Sequence, residues 1–400
     1  MAIFNETVTT LLILLTSVAL LLAYYLKLRY SYWSQRKIPF VPQDVRLNRS
    51  LHDGYKYRDI HRELSPNPFG GFYTYSKPAL LIRDPALIQQ ILIKDFNHFT
   101  DRGTGTDEKL DPLTAHLFNA QGDVWRNLRL KIIPAFSSGK LRRMYGLLEE
   151  CVSEMDRCIE SRIATNNIFE MKELFSKFAL DVIGTCAFGI KCNALADDSS
   201  EFRQITRVLF RPSIRHTFIG IFNAIDTRLN RYIGLKRHQR EIEDFFRDAI
   251  QKAIEYKESG TETLRKYPVL PWLERVCVQQ YTIPGSSTVV QPGVKIYIST
   301  LALHHDPEYF PNPDKFDPER FNDENKQTIK PGTYFPFGNG PRICIGMRFA
   351  QLEIKSALAD IISKYDIKLS ERTQLPVQAM PGALMLVPRG GIHLKFIKRT

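Results

Sequence analysis

"FGNGPRICIG", residues 337–346, sets one cysteine among glycines and an arginine, directly ahead of the helix-forming run "MRFAQLEIKSALADIISKY". Gly338, Gly340 and Gly346 let the backbone take tight positive-φ turns and approach a large flat ligand closely. Cys344 stands at a helix start, where free N–H groups and the helix dipole favour the thiolate, a form ready to ligate a metal. Arg342, two residues upstream, offers a fork of donors to a carboxylate. A cysteine alone reads as a small buried hydrophobe, whereas the full pattern F-x-x-G-x-R-x-C-x-G is far more specific.

The remaining cysteines, Cys151, Cys158, Cys186, Cys192 and Cys277, show neither zinc-like pairing nor dense disulfide spacing. A thiolate zinc or iron–sulfur centre therefore fails, because Cys344 has no partner cysteine at ligand spacing. With 55 basic and 43 acidic residues the chain carries a net charge of +12. That suits an anionic membrane surface or an acidic protein partner. No zinc finger, aromatic RNA-binding signature or basic-leucine pattern is present, which argues against nucleic acid.

Residues 8–26, "VTTLLILLTSVALLLAYYL", form an uncharged run long enough to cross a bilayer as a helix. Glu6 is the only charge before it, while Lys27, Arg29, Arg36 and Lys37 follow it. The order is the reverse of a cleaved signal peptide and keeps the bulk of the chain cytosolic. The expected organisation is a short lumenal segment at 1–7, a transmembrane signal anchor at 8–26, a basic, proline-containing linker at 27–42 and one domain over 43–400.

Within that domain, "GFYTYSKPALLIRDPALIQQILI" predicts two short strands, a turn at Asp84-Pro85 and a helix. From Gly122 to about Gly260 the spacing is mostly helical, as in "LRRMYGLLEECVSEMDRCIESRI". "RHQREIEDFFRDAIQKAIEYKE" reads as a partly exposed amphipathic helix. Beyond Pro268 come β-branched runs such as "STVVQPGVKIYIST", then the long helix, then "GALMLVP" and "GIHLKFI" as closing strands. The fold class is α+β, mostly α-helical with a small β-rich part.

The cysteine loop resembles the haem-binding loop of the cytochrome P-450 superfamily, the haem-thiolate monooxygenases. "ETLR" (Glu262, Arg265), "FDPERF" (Arg320) and "WRNLR" (Trp125, Arg129) agree in the right order. The resemblance runs from the anchor to the C-terminus, and its texture is similar to insect microsomal members that oxidise toxins. It implies haem b (iron protoporphyrin IX) with Cys344 as its axial ligand, and Phe337, Gly338, Gly340 and Gly346 around it. Arg342, Arg129, Trp125, Arg275 and Arg102 are then candidates for the haem carboxylates. Arg102 in "FTDRG" reads equally well as a solvated loop arginine. Glu262 and Arg265 share a helix face, and by resemblance Arg320 completes a buried brace behind the loop.

The same resemblance implies an endoplasmic reticulum location and small lipophilic substrates: xenobiotics, plant toxins, insecticides or endogenous lipids. Electrons would come from NADPH through a flavoprotein reductase, docked on basic residues such as Arg126, Lys131, Arg142 and Arg348.

One departure stands out. Between "AIEYKESG" and "TETLRKYP" the family has a long distal helix with an acidic-or-Gly/Ala-x-x-Thr oxygen-handling site, and this chain passes directly from Gly260 to Thr261. The core is expected to be incomplete, with apolar faces exposed on the neighbours of the absent helix. Two functions follow from different classes: a membrane-anchored monooxygenase, or a catalytically deficient haem-binding remnant that competes for the reductase.

Overall fold

The structure, a computed structural model, describes residues 2–44, 51–104, 116–197 and 261–399. The amphipathic helix expected within 237–258, the apolar run "FIGIFNAI" (218–225) and the upstream side of the 260/261 junction lie outside the described residues.

The apolar run lies in α1 (Ala2–Tyr30), in which Val8–Tyr30 is long and apolar enough to span a bilayer and has no fully buried residue in its most apolar stretch. α2 (Tyr32–Gln35) follows, then β1 (Phe40–Asp44). The expected linker at 27–42 is therefore packed structure: Trp33 and Val41 are buried, and the boundary drawn at 43 falls inside β1. After α3 (Asp53–Glu63), β2 (Phe69–Thr74) and β3 (Lys77–Ile82) form an antiparallel hairpin. Its turn places Tyr75 and Ser76 at φ 50° and 60°, and the Asp44 carboxylate accepts both of their N–H groups at 3.0 and 2.6 Å. Asp84 proves to be a helix cap: its carboxylate accepts the Leu87 N–H at 2.7 Å at the start of α4 (Pro85–Gln89).

The helical layer contains α5 (Gly122–Ile132), α6 (Ser138–Arg143), α7 (Tyr145–Ile163) and α8 (Met171–Val182), with β4 (Ile168–Glu170) between the last two. Downstream come α9 (Thr261–Lys266), β5 (Leu273–Val276), β6 (Tyr281–Thr282), β7 (Val289–Val290), β8 (Lys295–Ile298) and α10 (Thr300–His304). The long helix is α11 (Met347–Lys364), followed by β9 (Tyr365–Leu369) and β10 (His393–Lys398). "GIHLKFI" thus supplies a strand as expected. "GALMLVP" does not: it makes an isolated bridge between Ala379 and Pro388 and scattered backbone bonds such as Leu386 N–H to the Val269 carbonyl at 3.0 Å, without forming a strand.

Two cores hold these elements. A five-stranded sheet in the order β1-β2-β3-β8-β5 is buried on both faces. Tyr73, Leu80, Ile82, Ile296 and Ile298 pack on one side with Ile88 and Ile91, while Phe72, Ala79, Leu81 and Tyr297 pack on the other with Tyr57 and Ile60 of α3. Strand alternation sends successive side chains to opposite faces, so each strand contributes to both. The second core joins α7, α8 and α11 through Leu148, Met155, Ile159, Phe178, Val182, Ala357 and Ile361, closed by Phe396 of β10. Each fully buried side chain of this size contributes about 1.5–3 kcal/mol.

α11 has a second apolar stripe. Ile354, Leu358 and Ile362 recur one turn apart and are 37%, 39% and 52% exposed, on a helix whose Ala357 and Ile361 are in the core. Ile183, directly after α8, is 40% exposed.

Candidate functional site

The cysteine loop is shaped by two backbone contacts. The Cys344 N–H donates to the Phe337 carbonyl at 2.9 Å, and the Ile343 N–H to that of Gly340 at 2.9 Å. Gly340 (φ 68°) lies so close to the turn after α4 that a Cβ there would sit 1.9 Å from the Leu92 carbonyl oxygen. Only glycine fits. Gly338 (φ 78°) has an open face, since the nearest heavy atom to a Cβ there is 3.9 Å away. Gly346 caps α11, and Phe337 is half-buried, its described contact being its carbonyl rather than its ring.

Cys344 is the one exposed cysteine; Cys151, Cys186, Cys192 and Cys277 are buried. Desolvation raises the Cys344 pKa, opposed by the Gly346 N–H and by the charges of Arg102 and Arg129. The helix start therefore favours the thiolate less than its surroundings disfavour it, which corrects the simpler expectation from the dipole alone. The buried thiols are pushed up by desolvation to about 11 for Cys151 and Cys277 and about 12 for Cys186 and Cys192.

Around the loop the chain gathers guanidinium groups. Arg102 donates to the Phe118 carbonyl at 3.0 Å and to that of Arg342 at 3.2 Å, so it is no solvated loop residue. Arg342 donates to the Ala120 carbonyl at 2.7 Å and lies 4.3 Å from the centre of the Trp125 ring. Arg129 lies 6.0 Å from the same ring, one turn along α5. Arg275, on β5, is 1% exposed; it donates to the Glu274 carbonyl at 2.7 Å while its buried Nε has no partner. The only carboxylate ion-paired with this group among the described residues is Asp101, 3.7 Å from Arg342. Burial and mutual repulsion lower the pKa of Arg342 to about 9 and that of Arg275 well below its ordinary value. Burial lowers Arg102 to about 10 and also lowers Arg129, in each case against the pull of Cys344. Because guanidinium stays charged, these shifts measure an electrostatic cost that a bound dianion would relieve. A cavity of about 470 Å³ opens between α5 and the loop, lined by Trp125, Arg129, Leu130, Ile133, Gly340 and Ile343 among others.

Behind the loop, Arg265 holds Glu262 bidentately at 2.9 and 2.8 Å, both side chains nearly fully buried. Arg265 also donates to the carbonyls of His304 (2.7 Å) and Pro313 (2.8 Å). Arg320 reaches only 4.0 Å from Glu262 and donates instead to the Asn312 carbonyl at 3.1 Å. The brace is thus a pair with a nearby third charge, and breaking a buried pair of this kind costs about 3–5 kcal/mol.

His304, which the sequence reading did not single out, connects brace to loop. Its Nε2 accepts the Phe335 N–H at 3.1 Å, so Nδ1 carries the proton and donates to the Arg265 carbonyl at 3.2 Å. The ring is fully buried, and desolvation lowers its pKa from 6.5 to about 3. The unfolded imidazole gains a proton on acidification and the folded one does not. The neutral ring's stabilisation is therefore complete above about pH 6.5 and is lost as pH falls toward 3, at roughly 1.4 kcal/mol per unit. Between pH 7.5 and pH 5 the wild-type chain should lose about 2 kcal/mol more than His304→Asn in denaturant unfolding. Equal losses would contradict the assignment.

An exposed cysteine backed by buried cations is a setting for a flat dianionic ligand held through sulfur. The comparisons with known proteins agree with that class. The cytochrome P450 family model matches residues 38–261 and 256–396. Cytochrome P450 6k1 of Blattella germanica is 28% identical over 517 aligned positions, covering 98% of this chain and 97% of that protein. Cytochrome P450 6a2 of Drosophila melanogaster is 31% identical over 501 positions, covering 96% of this chain and 99% of the other. The chain belongs to the cytochrome P450 family, and by family it is a haem-dependent monooxygenase. The first alignment has 517 positions against 400 residues here, so at least 117 (517 minus 400) face no residue of this chain.

Proposed function

We propose that this chain carries the residues that hold haem in a microsomal monooxygenase but lacks the distal wall that seals the haem in and handles oxygen. The observation that carries the reading is the gathering of Arg102, Arg129, Arg275 and Arg342 around Cys344 with Asp101 as their only ion-paired carboxylate among the described residues. Haem b fits this donor set: its two carboxylates supply the missing negative charge, and the open face of Gly338 leaves room for a flat ring. When bound, haem supplies activation of O2 for insertion of one oxygen atom into a lipophilic substrate.

The protein's own part is then definable. Cys344 provides the thiolate ligand. The Gly346 N–H and the charges of Arg102 and Arg129 stabilise the anionic sulfur. Arg275, with its unpartnered Nε, and Arg342 bind and orient the carboxylates. Glu262, Arg265 and His304 hold the loop from behind.

The distal segment is the part we read as absent, at the junction of residues 260 and 261. The exposed stripe of Ile354, Leu358 and Ile362, the meeting of the two family matches near that junction and the surplus of alignment positions support this reading. Without that wall the site would lack its proton-delivery groups and its shield from water, the two things the protein itself would contribute to coupled oxygen insertion. The anchor at α1 would hold the body on the cytosolic face of the endoplasmic reticulum. There the exposed Arg126, Lys131, Arg142 and Arg348 suit an acidic reductase that passes on electrons from NADPH.

Arg275→Met tests the carboxylate assignment. Replacing an unpaired buried charge with an apolar chain of similar length should stabilise the haem-free protein by about 1–3 kcal/mol. It should also weaken haem binding by about tenfold or more, the worth of one charge-assisted hydrogen bond. A titration in which haem affinity is unchanged would remove Arg275 from the site.

A further inference from the structure

The junction between α1 and the sheet is a socket. Trp33 lies only seven positions beyond the end of the uncharged run at Leu26, yet it is 3% exposed. Its indole N–H donates to the Phe72 carbonyl at 3.0 Å. Its ring fills the space over Gly71, where a Cβ would come within 2.4 Å of the ring atoms. The span is tied to the same strand independently. The Tyr73 hydroxyl donates to the Tyr30 carbonyl at 2.7 Å, and the two rings meet edge to face at 4.8 Å. The Tyr30 hydroxyl in turn reaches the Asp44 carboxylate at 3.4 Å, the same group that holds the β2–β3 turn. Between span and sheet the backbone stays hydrogen-bonded, Ser31 N–H to the Lys27 carbonyl at 3.1 Å and Gln35 N–H to that of Ser31 at 3.0 Å.

Tyr30, four residues or about 6 Å of helix past the uncharged run, is thus bonded directly to β2, and β1 is the sheet's outer strand. The headgroup layer is only about 5–7 Å thick on each side of the hydrocarbon. A body fastened at that point stands in the headgroups rather than above them. The cations at the junction suit such a place. Arg36 lies 3.7 Å from the Tyr32 ring centre, and Lys27, Arg36 and Lys37 are exposed without an ion pair among the described residues.

We infer that the Trp33–Gly71 socket locks α1 and the five-stranded sheet into one rigid unit, pressing the β1 edge with Arg36 and Lys37 onto the phosphate-bearing headgroups at a fixed depth and angle. This rests on the reading of α1 as a membrane anchor. Were residues 31–39 a free tether, their end-to-end distance would spread over about 15 Å, and the haem site would have no fixed height above the bilayer.

The test uses the full chain in phosphatidylcholine–phosphatidylserine vesicles, with a donor dye on the C-terminus and acceptor dyes on the lipid headgroups. Time-resolved energy transfer reads the distribution of heights. A single narrow distribution is expected for the wild type, broadened by about 10 Å or more in Trp33→Ala and in Gly71→Ala, with a smaller broadening in Tyr73→Phe, which removes only the hydroxyl. The thermal unfolding of each variant identifies any that simply fail to fold, and Tyr73→Phe keeps the question open to measurement if the socket variants do. A wild-type distribution already as broad as a free tether, or one unchanged in all three variants, overturns the latch while leaving the anchor intact. A chain that does not float with vesicles overturns the anchor reading itself, and the latch with it.

Discussion

Cys344→Ala should abolish the thiolate-type absorbance band of the reduced, carbon-monoxide-bound protein, while Cys151→Ala and Cys192→Ala leave it in place. Ligation needs an accessible, deprotonated sulfur. Cys344 is exposed, and although desolvation raises its pKa, the Gly346 N–H, Arg102 and Arg129 oppose the rise and are placed to stabilise a metal-bound anion. Cys151, in the helical core, and Cys192, just beyond it in the segment after Gly189, are buried, and desolvation pushes their thiols up to about 11 and about 12. Both are protonated at neutral pH by a wide margin. Truncating either removes one buried sulfur and costs about 1 kcal/mol of packing, far too little to empty the site. A thiolate band that survives Cys344→Ala would move the ligand elsewhere.

Insertion of a homologous family segment between Gly260 and Thr261 should produce the second large effect. The grafted chain is expected to bind haem near stoichiometrically, to lose the binding of apolar dyes to its surface and to gain substrate oxidation. The exposed stripe Ile354, Leu358 and Ile362 explains the coupling of these readouts. Covering three such side chains removes a continuous apolar strip from water and stabilises the fold by several kcal/mol, at about 25 cal/mol per Å². The same segment would supply the distal wall. A graft that folds yet binds haem no better than the parent would show that the absent wall is not what limits the site.

How much of this was legible beforehand depends on how local each feature is. The cysteine loop could be read directly, because Gly340 must be glycine against Leu92, and the pattern of glycine, arginine and cysteine records that constraint. The Glu262–Arg265 pair was legible from its three-residue spacing on α9. The position of Arg320 was not: its distance from Glu262 is set by the path of the chain through Asn312 and Asp317, which no spacing encodes. His304 escaped notice because a buried neutral histidine has no sequence signature of its own; only its bonds to Phe335 and Arg265 reveal it. Trp33 was read as part of a linker for a similar reason. Its burial depends on Gly71, on a strand that pairs with β1 only after folding. "GALMLVP" misled in the opposite direction, since β-branched and apolar content describes a strand's surroundings as much as its pairing.

On the proposed function, the haem-holding residues are assembled here while the oxygen-handling wall is not. The most direct measurement is coupling: the haem-loaded chain in vesicles with a flavoprotein reductase, NADPH and a panel of lipophilic substrates, scored as product formed against NADPH consumed. A thiolate-type carbon monoxide band is expected on whatever haem is bound, with NADPH consumption appearing as reduced oxygen and little product. Product formation that matches NADPH consumption in the ungrafted chain would contradict it.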